Sequence, residues 1–254
     1  AAFQNAIRYG WEDSTVYLKL ARELHADGKY AQAVTAYETY LQWKPGDKLA
    51  ADGLAGAKMG QSKALQTRYV VKAAKLFNSR RSDYAPMYDS PELDRLYFTS
   101  TNEKASGSKR SEITGMKNGD IFVATKNERG EWNRPEAVEG ELNSELDEGI
   151  VSFSPDGQTM YLTKARREPS ANTGVEIYTS QRSDAKWSAP VKYEITADTL
   201  SSYGHPAVSP DGDWLYFTSD MPGGSGGKDI WRVNIKERAG SLENLGEWIN
   251  TPGD

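Results

Sequence analysis

The sequence predicts a multidomain chain, α-helical at its start and all-β thereafter, with the β part built from repeated four-stranded units. Three observations carry this. Apolar residues recur at three- and four-residue steps within positions 1–67. From about Arg68 onward, Gly, Pro, Asn and Ser punctuate short runs of alternating polarity. One phrase is also stated twice: FSPDGQTMYLTKA at 153–165 returns as VSPDGDWLYFTSD at 208–220.

Composition bounds the function classes. A chain of 254 residues exceeds most single cores, so about two domains are expected. The 7 Trp and 14 Tyr put much of the apolar mass in aromatics, which favours strands. Net charge is -5, from 36 acidic and 31 basic residues spread along the chain, so no global field draws it to nucleic acid. No apolar run reaches the roughly 20 residues of a membrane helix, and the chain is expected not to span a membrane itself. With 0 Cys, disulfides, thiolate metal sites and cysteine nucleophiles are excluded. The chain opens on Ala1, so upstream processing or truncation is expected.

In STVYLKLARELHADGKYAQAVTAYETYLQWKP (14–45), Tyr17, Leu20, Ala21 and Leu24 and then Ala33, Tyr37 and Tyr40 mark one face of each of two helices. Asp27-Gly28 separates them and Pro45 stops the second. Small Ala21 and Ala33 permit close approach, while Tyr17 and Tyr37 fill grooves. FQNAIRYG before this hairpin and DKLAADGLAGAKMG after it read as flanking helices.

Beyond 68, three copies of one order of landmarks align, predicting blades over 83–143, 147–203 and 203–250. Turn prolines stand at Pro91, Pro155 and Pro210. A strand follows each: LYFTS (96–100), MYLTK (160–164) and LYFTS (215–219). A third element is DIFVAT (120–125), EIYTSQ (176–181) and DIWRVN (229–234), and Trp132, Trp187 and Trp248 mark a fourth. Four short strands in some 55 residues are the size of a β-propeller blade. Asp156-Gly157 and Asp211-Gly212 suit tight hairpin turns, whereas PELDR (91–95) lacks the dipeptide and needs a longer turn. Three blades do not close a ring, and the last residues, EWINTPGD, read as the approach to another, so a fragment of a longer propeller is expected.

The helical hairpin resembles a tetratricopeptide repeat, with Tyr17 where that pattern has Trp and Ala21 where it has Gly. The blades resemble the WD-like Pro-Asp repeats of TolB and related periplasmic proteins, on SPDG, LYFTSD and KDIW. A tetratricopeptide unit running through NSRRSDYAPMY into SPDG blades is similar to Bacteroidetes outer-membrane-associated proteins that continue into an OmpA-like peptidoglycan-binding domain. That resemblance implies a periplasmic, non-enzymatic scaffold on the inner face of the outer membrane. Its partners would be proteins or peptides of the secretion and envelope machinery. Peptidoglycan would be reached only through a domain outside these residues. A propeller gating a hydrolase encoded downstream and a TolB-like envelope-integrity component are the alternatives.

No catalytic residue, metal site or cofactor is predicted. His25, near Arg22 on the first helix of the hairpin, is the candidate ligand contact in the helical groove, against a solvated role. His205 precedes Pro206 and reads as a structural corner or channel-lining residue. GGSGGKD (223–229) joins two strands and lacks a phosphate-loop ending, so a flexible loop is expected. Glu145, Asp147, Glu148, Asp211 and Asp213 match no calcium-loop spacing and read as turn caps. The loops between second and third strands should share one rim, and they carry Lys104, Lys109, Arg110, Lys117, Lys164, Arg166, Arg167 and Lys228. A basic, partner-binding rim is expected.

Overall fold

The computed structural model describes residues 2–11, 13–63, 69–108, 110, 115–166, 174–184 and 186–253. The chain divides into two compact units, Ala1–Lys72 and Ala73–Asp254. The expected boundary at 67 lies outside the described residues.

The first unit holds four helices, α1 (Ala2–Arg8), α2 (Thr15–Ala26), α3 (Tyr30–Trp43) and α4 (Lys48–Lys63). Gly28, at φ 71°, turns α2 into α3. Ala21 and Ala33 are both fully buried where the two helices meet. Asp47 starts α4, its carboxylate accepting from the Ala50 amide at 3.0 Å and from the Tyr40 hydroxyl at 2.7 Å. Helix α4 is notched by glycine: an added Cβ would lie 2.6 Å from the Tyr37 ring at Gly53 and 2.7 Å from the Tyr30 ring at Gly60. Those notches explain three glycines in one helix despite their low propensity.

The second unit is three β-propeller-like antiparallel sheets. Blade 1 comprises β1 (Asp83–Tyr88), β2 (Arg95–Ser100), β3 (Asp120–Thr125) and β4 (Glu136–Ala137). Blade 2 comprises β5 (Glu148–Phe153), β6 (Thr159–Ala165), β7 (Val175–Ser183), the extension β8 (Lys186–Trp187) and β9 (Val191–Lys192). Blade 3 comprises β10 (Tyr203–Val208), β11 (Trp214–Ser219), β12 (Asp229–Asn234) and β13 (Glu243–Asn244). By register β9, not β8, is the counterpart of β4 and β13, because Tyr178↔Lys192 repeats Phe122↔Ala137 and Trp231↔Asn244.

The Ser-Pro-Asp-Gly hairpins are alike atom for atom. Gly157 (φ 67°) and Gly212 (φ 76°) donate their amides to the Ser154 and Ser209 carbonyls, and each serine hydroxyl accepts from the amide five residues on. In blade 1, Leu93 takes the same left-handed conformation (φ 54°) in a turn one residue longer. The tryptophan landmarks are only partly equivalent. Lys126 lies over Trp132 and Arg182 over Trp187, at matching register, whereas Trp248 follows β13 and is wholly exposed. Its blade places Ile235 where the cation would be.

Each inner strand carries one extra residue in the left-handed region: Ala85 (φ 52°), Ile150 (φ 47°) and His205 (φ 56°). The amide this exposes is taken by the preceding blade. Ile150 N–H donates to Thr99 Oγ1 at 2.9 Å, and His205 N–H donates to Thr163 Oγ1 at 2.9 Å. The residue before the bulge is Gly149 or Gly204, since a Cβ there would stand 2.3 Å from Thr99 Oγ1 or 3.0 Å from Val175 Cγ2. Blade 1 has Tyr84 at that place.

Side chains sort by face around these latches. Tyr97 and Ile121 of blade 1 bury against Val151, Phe153 and Trp187 of blade 2, and Tyr161 and Ile177 of blade 2 bury against Tyr203, Leu215 and Phe217 of blade 3. Trp187 also donates its indole N–H to the Tyr97 hydroxyl at 3.2 Å. The corresponding blade 3 residues, Tyr216 and Ile230, are not buried, and β11 alternates between covered and uncovered positions.

Gly149→Ala is expected to destabilise by about 1–3 kcal/mol through overpacking. Combined with Thr99→Ala, it should cost less than the sum, because the second change removes the atoms the first collides with. A urea-unfolding cycle with strictly additive free energies would contradict the latch.

Candidate functional site

Binding or chemistry at the blades would have to draw on their polar groups. Most are committed to the sheets. Asn143 pairs its amide with both backbone groups of Ile121, and Asn250 does the same at Ile230, each bond between 2.8 and 3.0 Å. These side chains act as one residue of an extra strand. The equivalent place in blade 2 is Asp198, whose carboxylate accepts from the Ser201 hydroxyl, the Leu200 amide and the Tyr203 hydroxyl, bringing its pKa down to about 2. Asp120 and Asp229 open the third strands, fully buried, and accept the amides of Ser106 and Ser225. Burial is the main influence on Asp120 and pushes its carboxyl upward. Asp89, also buried, accepts from Arg95 of its own blade at 2.7 Å and from Arg182 of the next at 2.9 Å.

The predicted rim residues have unequal fates. Lys164 turns inward and pairs with the buried Glu148 at 2.7 Å. Arg166, its side chain 9% exposed, pairs with Glu176 at 3.3 Å and donates to the carbonyls of Leu200 and Ser201. Arg110 binds Glu103 at 2.8 Å and the Gly115 carbonyl. Lys117 donates to the carbonyls of Glu103 and Ala105. Lys104 and Lys228 are exposed. Lys109 and Arg167 lie outside the described residues. Four of the expected rim cations are thus taken up by carboxylates and carbonyls, those binding Arg110 and Lys117 within their own loop and those binding Lys164 and Arg166 on strands β5 and β7 and at residues 200–201.

The helical candidates also separate. Arg22 is exposed, whereas His25 packs edge-on against Tyr30 and Tyr37 at 5.7 and 6.2 Å and meets the notch at Gly56. It keeps part of its surface in solvent and does not line the cleft of this unit. That cleft, about 390 Å³, lies between α1, α2 and α3 and is lined by Ile7, Tyr17, Leu20, Leu24, Ala36 and Thr39 among others. Its walls are mainly apolar, as a groove for a partner helix requires.

The Gly-rich loop is close-packed instead of free. A Cβ at Gly224 would collide with the Asp229 carboxylate at 2.0 Å, and one at Gly226 with the Thr251 carbonyl at 2.4 Å. Residues 223–227 spell Gly-x-Ser-x-Gly, a pattern also found at hydrolase nucleophile elbows. Here the segment joins β11 to β12, not a strand to a helix, and the Ser225 amide is bound to Asp229. The His205 side chain is exposed, and desolvation by its surroundings, with Lys228 nearby, lowers its pKa. Asp147 caps the Gly119 amide and Asp211 the Asp213 amide, as the turn reading expects. Among the described residues no group of three His, Asp or Glu is placed to hold a metal ion, and no helix is long and apolar enough to cross a membrane.

The sequence matches no family model and no curated protein. Among solved structures it is similar to TolB from Acinetobacter baumannii, with 24% identity and a TM-score of 0.39 over 67% of this chain and 33% of that one. A putative TolB from Agrobacterium tumefaciens gives 18% and 0.34 over 68% and 64%. A Mycobacterium tuberculosis puromycin-hydrolyzing peptidase gives 16% and 0.41 over 65% and 23%. The chain therefore spans about a third of the Acinetobacter TolB. Two TolB proteins and a peptidase at this distance carry no conclusion about activity.

Two outcomes follow from the way these charged groups are held. Lys164→Met leaves the Glu148 carboxylate buried without its cation and should cost about 3–5 kcal/mol, whereas Lys104→Met should stay within about 0.5 kcal/mol in the same thermal melts. Equal effects would contradict the pairing. Asp198 has a folded pKa below its unfolded value, so its contribution is present above about pH 4 and fades as pH falls towards about 2. Asp198→Asn should therefore cost on the order of 1 kcal/mol at pH 7, allowing for solvent screening, and almost nothing at pH 2. A cost independent of pH would refute the carboxylate's role.

Proposed function

We propose that the chain is a non-enzymatic protein-interaction scaffold, a helical repeat of tetratricopeptide type joined to a propeller platform. One observation carries the reading. The buried carboxylates, Asp89, Asp120, Glu148 and Asp229, each have an oxygen held by backbone amides, hydroxyls or cations of the same or the next blade, and the one oxygen of each aspartate that has no hydrogen-bond partner is itself buried away from any opening to solvent. Groups so engaged build a platform and are poorly placed to act on a substrate. The apolar cleft of the helical unit supplies a surface for a peptide segment.

Within that class, we place the chain in the bacterial periplasm, at the inner face of the outer membrane. It would serve there as a type IX secretion component similar to PorE, tied to peptidoglycan by an OmpA-like domain encoded outside these residues. The resemblance of NSRRSDYAPMY and the Ser-Pro-Asp-Gly blades supports this reading. A TolB-like envelope component is the second reading, favoured by the two hairpins identical in their hydrogen bonding.

Affinity capture of the tagged full-length protein from native envelopes tests both. Secretion-ring or outer-membrane proteins are the expected companions. Recovery of TolB-pathway proteins in their place would favour the second reading, and recovery of the protein alone would overturn the scaffold.

A further inference from the structure

A cavity of about 790 Å³ in the β unit lies where residues 75–81 run alongside blade 1. Its floor is aromatic. Phe77 meets Phe98 at 6.4 Å and Trp132 at 5.5 Å, both edge-on, and Phe98 stacks on Phe122. This packing covers the face of blade 1 that turns away from blade 2 and leaves Leu76 partly exposed beside the opening.

The wall is cationic. Lys75 and Arg80 come from the arm, Lys104 from the β2–β3 loop and Arg134 from the β3–β4 loop. All four are exposed, and among the described residues none has a carboxylate within ion-pair distance. The single acidic residue of the lining, Glu103, is already held by Arg81 at 2.7 Å and Arg110 at 2.8 Å, and these two guanidiniums bring its pKa down to about 2. It has little left to offer the other cations. Three separate segments thus bring four uncompensated positive charges to the edge of one concavity, where like charges repel and an incoming anion relieves the repulsion.

We propose that this cavity binds an acidic peptide segment bearing an aromatic or large aliphatic side chain. The carboxylates would meet Arg80, Arg134, Lys75 and Lys104, and the apolar side chain would settle over Phe77 and Leu76. Charge alone would suit any anion. The aromatic floor and the size of the cavity select a peptide over inorganic phosphate, because a small hydrated anion gains nothing from Phe77. The inference rests on the scaffold reading and names one partner chemistry for it.

The test is fluorescence anisotropy with a labelled nonapeptide of Asp and Glu around a central Phe. The expected result is saturable binding, weakened at least about tenfold by Arg80→Glu combined with Arg134→Glu, and weakened again when the peptide's Phe becomes Ala. Rising salt should loosen it. These positions are exposed, so circular dichroism should report an unchanged fold for the variant. Three results would each overturn the proposal: equal affinity for a Lys-containing version of the peptide, indifference to the double reversal, or displacement by inorganic phosphate at the concentration of its own binding. Binding of phosphatidylglycerol vesicles in preference to the peptide would reassign the cavity to a lipid surface and overturn it too. If envelope capture still recovers partners with the double variant, the scaffold stands and only this site falls; if capture recovers none with the unaltered protein, the scaffold falls first.

Discussion

The β unit depends on one contact: a threonine hydroxyl in the second strand of a blade receiving the amide of a bulged residue in the first strand of the next. A non-glycine residue at positive φ is costly, on the order of 1–2 kcal/mol, and for β-branched Ile150 the conformation is a clear outlier. The bulge persists because it turns an amide out of its own sheet, and Thr99 satisfies it. A buried amide left without that acceptor would cost about 1–3 kcal/mol. Blade, bulge and neighbour are therefore stable only together. The glycine before the bulge follows from the same contact, since any side chain there would occupy the space of the threonine. Where no threonine of another described blade adjoins the bulge, in blade 1, Tyr84 occupies that place.

The latch also accounts for how the charges are used. Blades that approach this closely bury their strand ends, and buried strand ends need polar partners. Asn143 and Asn250 supply them with a neutral amide, Asp120 and Asp229 with a carboxylate, and Glu148 with a carboxylate paired to Lys164. Residues that look chemically promising in isolation are thus the fasteners of the sheet. Arg182 shows the same economy across a blade boundary, bonding Asp89 of blade 1 while lying over Trp187 of its own blade. Replacing such a group tests the fold before it tests any binding surface. Arg166→Glu, for example, would place a carboxylate against Glu176 and two carbonyls.

What was legible in the sequence was whatever depends on local geometry. The Ser-Pro-Asp-Gly turns need a positive φ and a side-chain cap, and both requirements are visible in four letters. Alternation in LYFTS and DIFVAT marked strands buried on two faces, and the small residues at 21 and 33 marked a close helix pair. What was hidden depends on partners distant in the chain. Nothing near Lys164 announces Glu148, sixteen residues back, and nothing near Arg166 announces the carbonyls of Leu200 and Ser201. Trp248 misled because spacing was read as equivalence, although its blade has no cation at the matching register. His25 misled because helical periodicity locates a face, while the notch at Gly56 that receives the ring lies on a different helix.

The cationic cavity was hidden for a related reason, and its origin is physical. The face of blade 1 turned away from blade 2 carries Phe98 and Phe122, aromatic side chains of the kind that elsewhere bury between sheets. Blade 1 covers that face with Phe77, an aromatic borrowed from the arm. A single arm cannot reproduce the width of a blade, so a cavity remains beside it. Its floor is apolar by inheritance from the blade pattern, and its walls are whatever the arm and two loops present. The acidic residue of the described lining, Glu103, could have neutralised it; instead Glu103 is bound to Arg81, which ties the β2–β3 loop to the arm, and to Arg110 of its own loop. The salt bridges that shape the cavity are thus the same ones that leave its remaining cations without a partner. An apolar floor with a positive rim then follows from how the first blade is closed.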